Sequence, residues 1–125
     1  MSVLGGVFLT EKLNFPVITL CGSTRFKDDF NRVQRELTLK GYVVISVGLF
    51  GHADDEYKTI LSDKVKKMLD EMHLQKIDIV EAIYVINRDG YIGSSTAKEI
   101  EYAKKMAKQV FYMEKEVQKT GSKNG

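Results

Sequence analysis

The stretch Val17–Gly22, with the sequence Val-Ile-Thr-Leu-Cys-Gly, follows the only proline of the chain, Pro16. A short run of β-branched and aliphatic residues that stops at a glycine is typical of a buried strand in a parallel sheet. Helically spaced apolar residues follow, up to a glycine at Gly41 that would end the helix: Phe26, Phe30, Val33 and Leu37. A buried strand that leads into an amphipathic helix is the repeating unit of parallel α/β folds.

The same alternation continues along the chain. The pattern predicts strands at 42–47, 82–86 and 110–113, a long helix from about Ile60 that breaks before Ile79, and a last helix from about Thr96 to Lys108. We therefore expect an open, mostly parallel α/β sheet of four to five strands, Rossmann-like or flavodoxin-like, with helices on both faces and the strand order 2-1-3-4.

Composition limits the class of protein. With 125 residues, of which 43% are hydrophobic and 29% charged, we expect one domain over 1–125, with an arm at 1–15 and a flexible polar tail at 114–125. A net charge of +2 does not favour a nucleic-acid polymer as partner. The single cysteine, Cys21, excludes an internal disulfide and favours the cytoplasm. No apolar run approaches the roughly 20 residues that cross a bilayer, so we expect no membrane partner.

The predicted strand order indicates where a ligand would bind. Ligands of such sheets bind beyond the carboxyl ends of the strands where the order reverses, here between the first and third strands. The loop after the first strand offers amides, hydroxyls and a guanidinium that suit an anion: Gly22, Ser23, Thr24 and Arg25. A turn with a Ser23 or Thr24 cap, and an Arg25 paired with Asp28 or Asp29, explains the same residues equally well.

The loop after the third strand, Asn87–Ser95, is also rich in glycine and hydroxyl residues. Gly93, Ser94 and Ser95 precede the last helix, where they would grip a ribose or a phosphate. The alternative is a solvated loop with a Ser/Thr cap.

Glu99 interrupts the apolar stripe of the last helix, which is formed by Ile100, Ala103, Met106, Ala107 and Val110. Glu101 lies on the opposite, solvated side. An unpaired inward carboxylate costs several kcal/mol. We therefore expect Glu99, in the first helical turn, to be a functional acid, a cap of its own helix with Ser95 or Thr96, or a member of a buried ion pair.

The remaining candidates are weaker in the sequence. Cys21 is predicted as a core residue, because no base is identifiable beside it. His52 and His73 are far apart and no cysteine or histidine cluster accompanies them, so we expect no metal and no other cofactor. His73 would face the crevice, pack in the core or be exposed.

Two segments resemble the nucleoside 2-deoxyribosyltransferase superfamily, which includes the deoxynucleoside 5'-monophosphate N-glycosidases. Residues 18–25 (Ile-Thr-Leu-Cys-Gly-Ser-Thr-Arg) are similar to the family's first strand and its Cys-Gly-Ser-x-Arg turn. Residues 93–103 (Gly-Ser-Ser-Thr-Ala-Lys-Glu-Ile-Glu-Tyr-Ala) resemble a helix start of the family with a five-residue pattern. In that pattern glutamate is followed by an apolar residue, then usually by glycine, then by any residue, and last by alanine. An uncharacterised bacterial and phage branch, which shares the stretch Gly90–Thr96, resembles the chain most.

The resemblance implies a specific chemistry. Glu99 would attack C1' of the sugar and displace the base, and water or a second base would resolve the resulting ester. Ser23 and Arg25 would hold the sugar or a 5'-phosphate. The resemblance also implies a homodimer or a larger homo-oligomer.

The chain departs from the family pattern at three places, and two of them, Glu101 and Gly93, favour an alternative, a non-catalytic module that binds a nucleoside or nucleotide. Glu101 replaces the usual glycine, and Gly93 stands where the family often has Asp or Ser, with Asp89 nearby but out of register. The family's acid near the end of the preceding helix is matched by His73 or Asp78, between which the sequence does not decide.

Overall fold

The computed structural model of the protein describes residues 13–50 and 62–115. In this part of the chain strands and α-helices alternate: β1 (Val17–Gly22), α1 (Lys27–Leu39), β2 (Val43–Ile45), α2 (Asp63–Asp78), β3 (Ala82–Ile86), α3 (Ser94–Lys105) and β4 (Gln109–Tyr112). Short 3-10 turns at Thr24–Phe26 and Arg88–Gly90 follow β1 and β3. The strands pair in parallel in the order β2-β1-β3-β4, which confirms the predicted sheet.

Two apolar clusters cover the two faces of the sheet. On one face, Ile18 and Leu20 of β1 pack with the inner residues of α1, Phe30, Val33 and Leu37. On the other face, Cys21 of β1 packs with residues of β3, α2 and α3. These are Ile83 and Val85 of β3, Ile77 of α2, and Ile100 and Ala103 of α3. Alternate strand residues point to opposite faces, so Cys21 belongs to the face that α2 and α3 cover. Among the described helices, none has the length and apolarity needed to span a membrane.

The predicted boundaries differ from the observed ones chiefly at the ends. The second strand is shorter than predicted. The helix α2 ends before Ile79, as predicted. Its predicted start near Ile60 lies outside the described residues. The predicted arm is described only from residue 13, and the tail only to residue 115. Glu114, assigned to the tail, is held by two hydrogen bonds with the Asn87 side chain, of 2.8 and 3.0 Å.

The carboxyl ends of β1 and β3 approach too closely for a side chain at Gly22. The strand register places Gly22 opposite Ile86. A Cβ atom on Gly22 would lie 2.8 Å from the Ile86 carbonyl oxygen and 3.1 Å from the Ile86 Cβ. Glycine is therefore required here by the contact between two strands.

We expect Gly22→Ala to destabilise the protein by about 1–3 kcal/mol, because a backbone carbonyl held in the sheet would have to move. Gly48→Ala is the matched control, since nothing lies within 4 Å of its Cβ position. Urea unfolding of both variants measures the difference. Equal unfolding midpoints would contradict the close approach.

The last helix begins two residues earlier and ends three residues earlier than predicted, at Lys105. Ala107 has a φ of 61°, the Ala107 amide donates to the Lys104 carbonyl (3.0 Å), and the Lys108 amide donates to the Ala103 carbonyl (2.8 Å). This is a Schellman motif with alanine at the position that glycine usually occupies. The stripe assignment of Met106 and Ala107 was therefore wrong, because both follow the helix and are exposed.

Ala107→Gly is expected to stabilise the protein by about 0.5–1 kcal/mol, because glycine adopts the left-handed conformation without the Cβ strain. Ala97→Gly, at an exposed position inside α3, should instead destabilise by up to about 1 kcal/mol. Thermal unfolding of the two variants should therefore give shifts of opposite sign. A lower melting temperature for both would argue against the motif.

Candidate functional site: a buried Cys–His–Glu cluster beneath two loops

The loops that leave β1 and β3 contact each other, as the strand order predicted. The Arg25 guanidinium lies 4.6 Å from the centre of the Tyr91 ring. Phe26 packs edge-on against the same ring at 5.9 Å. Ser23 caps the turn after β1, because its Oγ accepts from the Arg25 amide (3.3 Å) and from Arg25 Nε (3.1 Å). Arg25 thus remains an exposed cation between the two loops.

The suggested pairing of Arg25 with Asp29 was wrong, because Asp29 pairs with other arginines. Arg88 donates to both Asp29 oxygens, with Nε at 3.0 Å from Oδ2, and Arg32 donates at 3.3 Å. The Arg88 hydrogen bond holds the pKa of Asp29 below its usual value, with Arg32 adding to the effect. Arg88 opens the second loop, so this pair anchors that loop to α1. Sequence reasoning missed this pair; the available signal was that Asp29 shares the inner face of α1 with Val33, four residues later.

The second loop presents its polar residues at the start of α3. Asp89 is exposed and has a φ of 55°. Gly93 occupies the N-cap position with extended backbone, and Ser94 and Ser95 are exposed in the first turn. The Tyr91 hydroxyl lies 3.3 Å from the Cβ position of Gly93, which leaves little room for a larger residue.

Glu99 points inwards, as predicted, with a side chain only 15% exposed. Because α3 begins at Ser94, Glu99 is its sixth residue and lies in the second turn. The prediction of the first turn was therefore wrong, and so was the capping alternative, since a capping box places the carboxylate at the third helical position. Glu101 is exposed on the opposite side of α3, as predicted.

Three polar side chains from three elements meet beneath the loops; we refer to Cys21, His73 and Glu99 as the Cys–His–Glu cluster. Cys21 Sγ lies 3.4 Å from His73 Nε2, and the same Nε2 lies 3.7 Å from Glu99 Oε1. One ligand-type atom from each residue lies within 4.8 Å of the other two. The prediction that no base lies beside Cys21 was wrong, because α2 and α3 both place one there.

The fold positions this cluster by burying one helix face of α2. His73 is four residues before the fully buried Ile77, so the two share a stripe against the sheet. The Thr19 hydroxyl of β1 donates to the Lys76 carbonyl at 2.8 Å, which fixes the same part of α2 on β1. This periodicity was the signal for His73 in the sequence; its distance of 52 residues from Cys21 concealed the contact.

Burial dominates the electrostatics of the cluster. It raises the pKa of Glu99 to about 7, lowers the pKa of His73 to about 4, and raises the pKa of the Cys21 thiol well above its usual value. An ion pair would shift the first two in the opposite directions, so desolvation outweighs the attraction between Nε2 and Oε1. At neutral pH the His73 imidazole is therefore neutral, and the buried ion-pair alternative for Glu99 is not favoured.

Of the two alternatives for the preceding helix, the fold brings His73 and not Asp78 to Glu99. Asp78 is the last residue of α2 and accepts a 2.6 Å hydrogen bond from the Tyr102 hydroxyl. Its carbonyl accepts from Lys108 Nζ at 3.1 Å, close to the amino end of the sheet. Asp78 thus joins the helices at the far edge from the loops. His52 lies outside the described residues.

Fold and site together define a parallel α/β domain with a buried carboxyl, imidazole and thiol at the carboxyl end of its central strands. Comparisons with known protein families, curated proteins and solved structures find no match to the chain.

Proposed function

We propose that this protein cleaves the N-glycosidic bond of a nucleoside or nucleotide, by hydrolysis or by base exchange, with Glu99 as the nucleophile. The observation that carries the proposal is the burial of the Glu99 carboxyl at the point of strand reversal. Its side chain is too far along α3 to cap the helix, and its raised pKa records the energetic cost of that burial. A perturbed carboxyl in such a position favours a functional role.

The two loops supply groups suited to the rest of the substrate. Arg25 offers guanidinium donors for a 5'-phosphate, and Tyr91 and Ser23 orient it. Ser94 and Ser95 offer exposed hydroxyls and the amides of the α3 N-terminus. These groups are suited to fixing the sugar and its phosphate.

The chemistry requires two displacements at one carbon. An ionised Glu99 oxygen forms a bond to C1', the C1'–N bond breaks, and its electron pair leaves with the base, which takes up a proton from solvent or a donor. Water, or a second base, then attacks C1' and releases the carboxylate. Glu99 attacks only when ionised, and a pKa of about 7 leaves enough of that form at neutral pH.

The assembly and the location of the protein belong to the same proposal. The family resemblance supports a homodimer or larger homo-oligomer whose neighbouring subunit completes the site. The single, fully buried Cys21 supports a reducing, cytoplasmic environment.

One observation favours a second candidate function, a non-catalytic module that binds a nucleoside or nucleotide. Burial of the Glu99 side chain raises its pKa to about 7, which favours the protonated carboxyl far more than at an exposed glutamate. A protonated carboxyl donates a hydrogen bond and is a poor nucleophile.

A substrate panel separates the two functions. The protein is incubated with deoxynucleosides, ribonucleosides and their 5'-monophosphates, with and without a second free base, and free base is measured by chromatography. Release of base supports the enzyme, and a new nucleoside in the presence of a second base identifies transfer. Thermal stabilisation by nucleotides without release supports the binding module, whereas neither response across the panel overturns both.

A further inference from the structure

The Cys–His–Glu cluster has the ligand types and the spacing of a metal site. A thiolate sulfur, an imidazole nitrogen and a carboxylate oxygen are the three kinds of atom that bind Zn²⁺ in proteins. Two such atoms on one tetrahedral Zn²⁺ lie about 3.3–3.6 Å apart, given Zn–N and Zn–S bonds of about 2.0–2.3 Å. The cluster shows 3.4 Å from Cys21 Sγ to His73 Nε2 and 3.7 Å from Nε2 to Glu99 Oε1. All three ligand-type atoms lie within 4.8 Å of one another, which is close enough for them to converge on one ion after side-chain adjustment.

The His73 ring is oriented as a metal ligand. Nε2 lies 3.4 Å from Cys21 Sγ and 3.7 Å from Glu99 Oε1, so this one nitrogen faces both of the other candidate ligands. An imidazole nitrogen binds Zn²⁺ through its lone pair, at a Zn–N distance of about 2.0–2.1 Å.

The same geometry argues against a cysteine nucleophile. In a Cys–His–carboxylate triad the histidine uses one ring nitrogen for the nucleophile and the other for the carboxylate. Here one nitrogen, Nε2, faces both partners. Cys21 is also fully buried, whereas the partly exposed Glu99 provides the open side of the cluster. A nucleophile has to be reached by its substrate, and the Cys21 sulfur is enclosed by the core.

We propose that Cys21, His73 and Glu99 form a binding site for Zn²⁺ or a similar thiophilic divalent cation. On binding, the Cys21 thiol and any protonated Glu99 release their protons to solvent, and the two resulting anionic ligands balance the two positive charges of the ion. The site does not depend on the proposed function. It has a consequence for that function, however, because a bound cation occupies the Glu99 carboxylate and so inhibits attack on a sugar.

The experiment uses tag-free full-length protein, freed of metal with a chelator that is then removed by dialysis, and titrated with Co²⁺. Because Cys21 is the only cysteine, any thiolate-to-cobalt charge-transfer band in the near ultraviolet reports this residue. We expect such a band to saturate at one Co²⁺ per chain, with proton release, and to disappear when Zn²⁺ is added.

Variants assign the ligands. Cys21→Ala should abolish the band and weaken Zn²⁺ binding, measured by competition with a chromophoric chelator, at least about 100-fold. His73→Gln should weaken it similarly, and it keeps the test valid if Cys21→Ala folds poorly. Glu71→Gln, at an exposed position of α2, serves as the control and should change neither the band nor the affinity.

Absence of the band, or Zn²⁺ affinity that Cys21→Ala and His73→Gln leave unchanged, overturns the metal site. Neither result bears on base release, because the spectra are recorded without substrate. If base is released as proposed, one equivalent of Zn²⁺ should inhibit the reaction and a chelator should restore it. A saturating band without such inhibition would uphold the metal site and count against Glu99 as the nucleophile.

Discussion

We expect Glu99→Gln to lower the rate of the proposed base release by at least about 10³-fold, because an amide at this position cannot form the ester with C1'. Glutamine has nearly the same shape as a protonated glutamate, so the buried position beside Cys21 and His73 is kept. The rate is measured by chromatography of free base on the best substrate of the panel. Mass spectrometry of acid-quenched reactions should detect the glycosyl ester on the peptide that contains Glu99 in the parent protein and not in the variant.

Glu101→Gln is the matched control, since it makes the same chemical change two residues further along α3 on the exposed side. We expect its rate to stay within about twofold of the parent protein. A variant Glu99→Gln that retains the full rate would remove Glu99 from the mechanism even if base release itself were established.

Substitutions of Glu99 and His73 change the pH dependence of folding stability in opposite directions. The folded protein holds the Glu99 proton more tightly than the unfolded chain, since burial raises the pKa from 4.5 to about 7. Glu99 therefore makes the free energy of unfolding decrease as the pH rises from 4.5 to about 7. His73 is protonated first in the unfolded chain, because its pKa falls from 6.5 to about 4 on folding. His73 therefore makes the free energy of unfolding decrease as the pH falls from 6.5 to about 4.

The two effects largely cancel in the parent protein, and each variant exposes the other. Relative to the parent, Glu99→Gln should gain stability as the pH rises from 4.5 to about 7. His73→Gln should gain stability as the pH falls from 6.5 to about 4. Each gain amounts to about 3 kcal/mol over its window. Glu99→Gln would thus be inactive and, above neutral pH, more stable than the parent, the usual relation between a buried functional group and stability.

Urea unfolding at about one-unit steps of pH, with a chelator present throughout, measures both differences. Subtracting the parent curve removes the titration of other groups, such as Asp29. Glu101→Gln should give a flat difference, because its side chain is exposed. Flat differences for Glu99→Gln and His73→Gln as well would mean that both groups are solvated in the folded protein.

The fold was predictable from local patterns because glycines and short apolar runs mark where its strands and helices begin and end in the sequence. The buried run Val17–Gly22, and the short apolar runs of the later strands, fixed four strands and their parallel pairing. The inward direction of Glu99 followed from helical periodicity alone. The end of α3 did not, because Ala107 adopts a left-handed conformation that the sequence signals only when glycine is present.

The contacts that the sequence concealed join residues from different elements. His73 meets Cys21 across 52 residues, and Arg88 meets Asp29 across 59. Periodicity places each of these side chains on the inner face of its own element, but it does not identify the residue on the neighbouring element that the side chain contacts. That depends on how far each helix slides along the sheet, which is set by packing such as that of Ile77 and the hydrogen bond from Thr19.

The Asn87 side chain gives the end of β4 a mechanical link to the rest of the domain. Its amide bonds to the Glu114 backbone in both directions, and so imitates one more rung of strand pairing after β3 has ended. Tension on the chain beyond residue 115, from a fused protein or a tether, would therefore load Asn87 first. Asn87 lies between Ile86, the last residue of β3, and Arg88, so such a pull would act both on β3 and on the loop above Glu99.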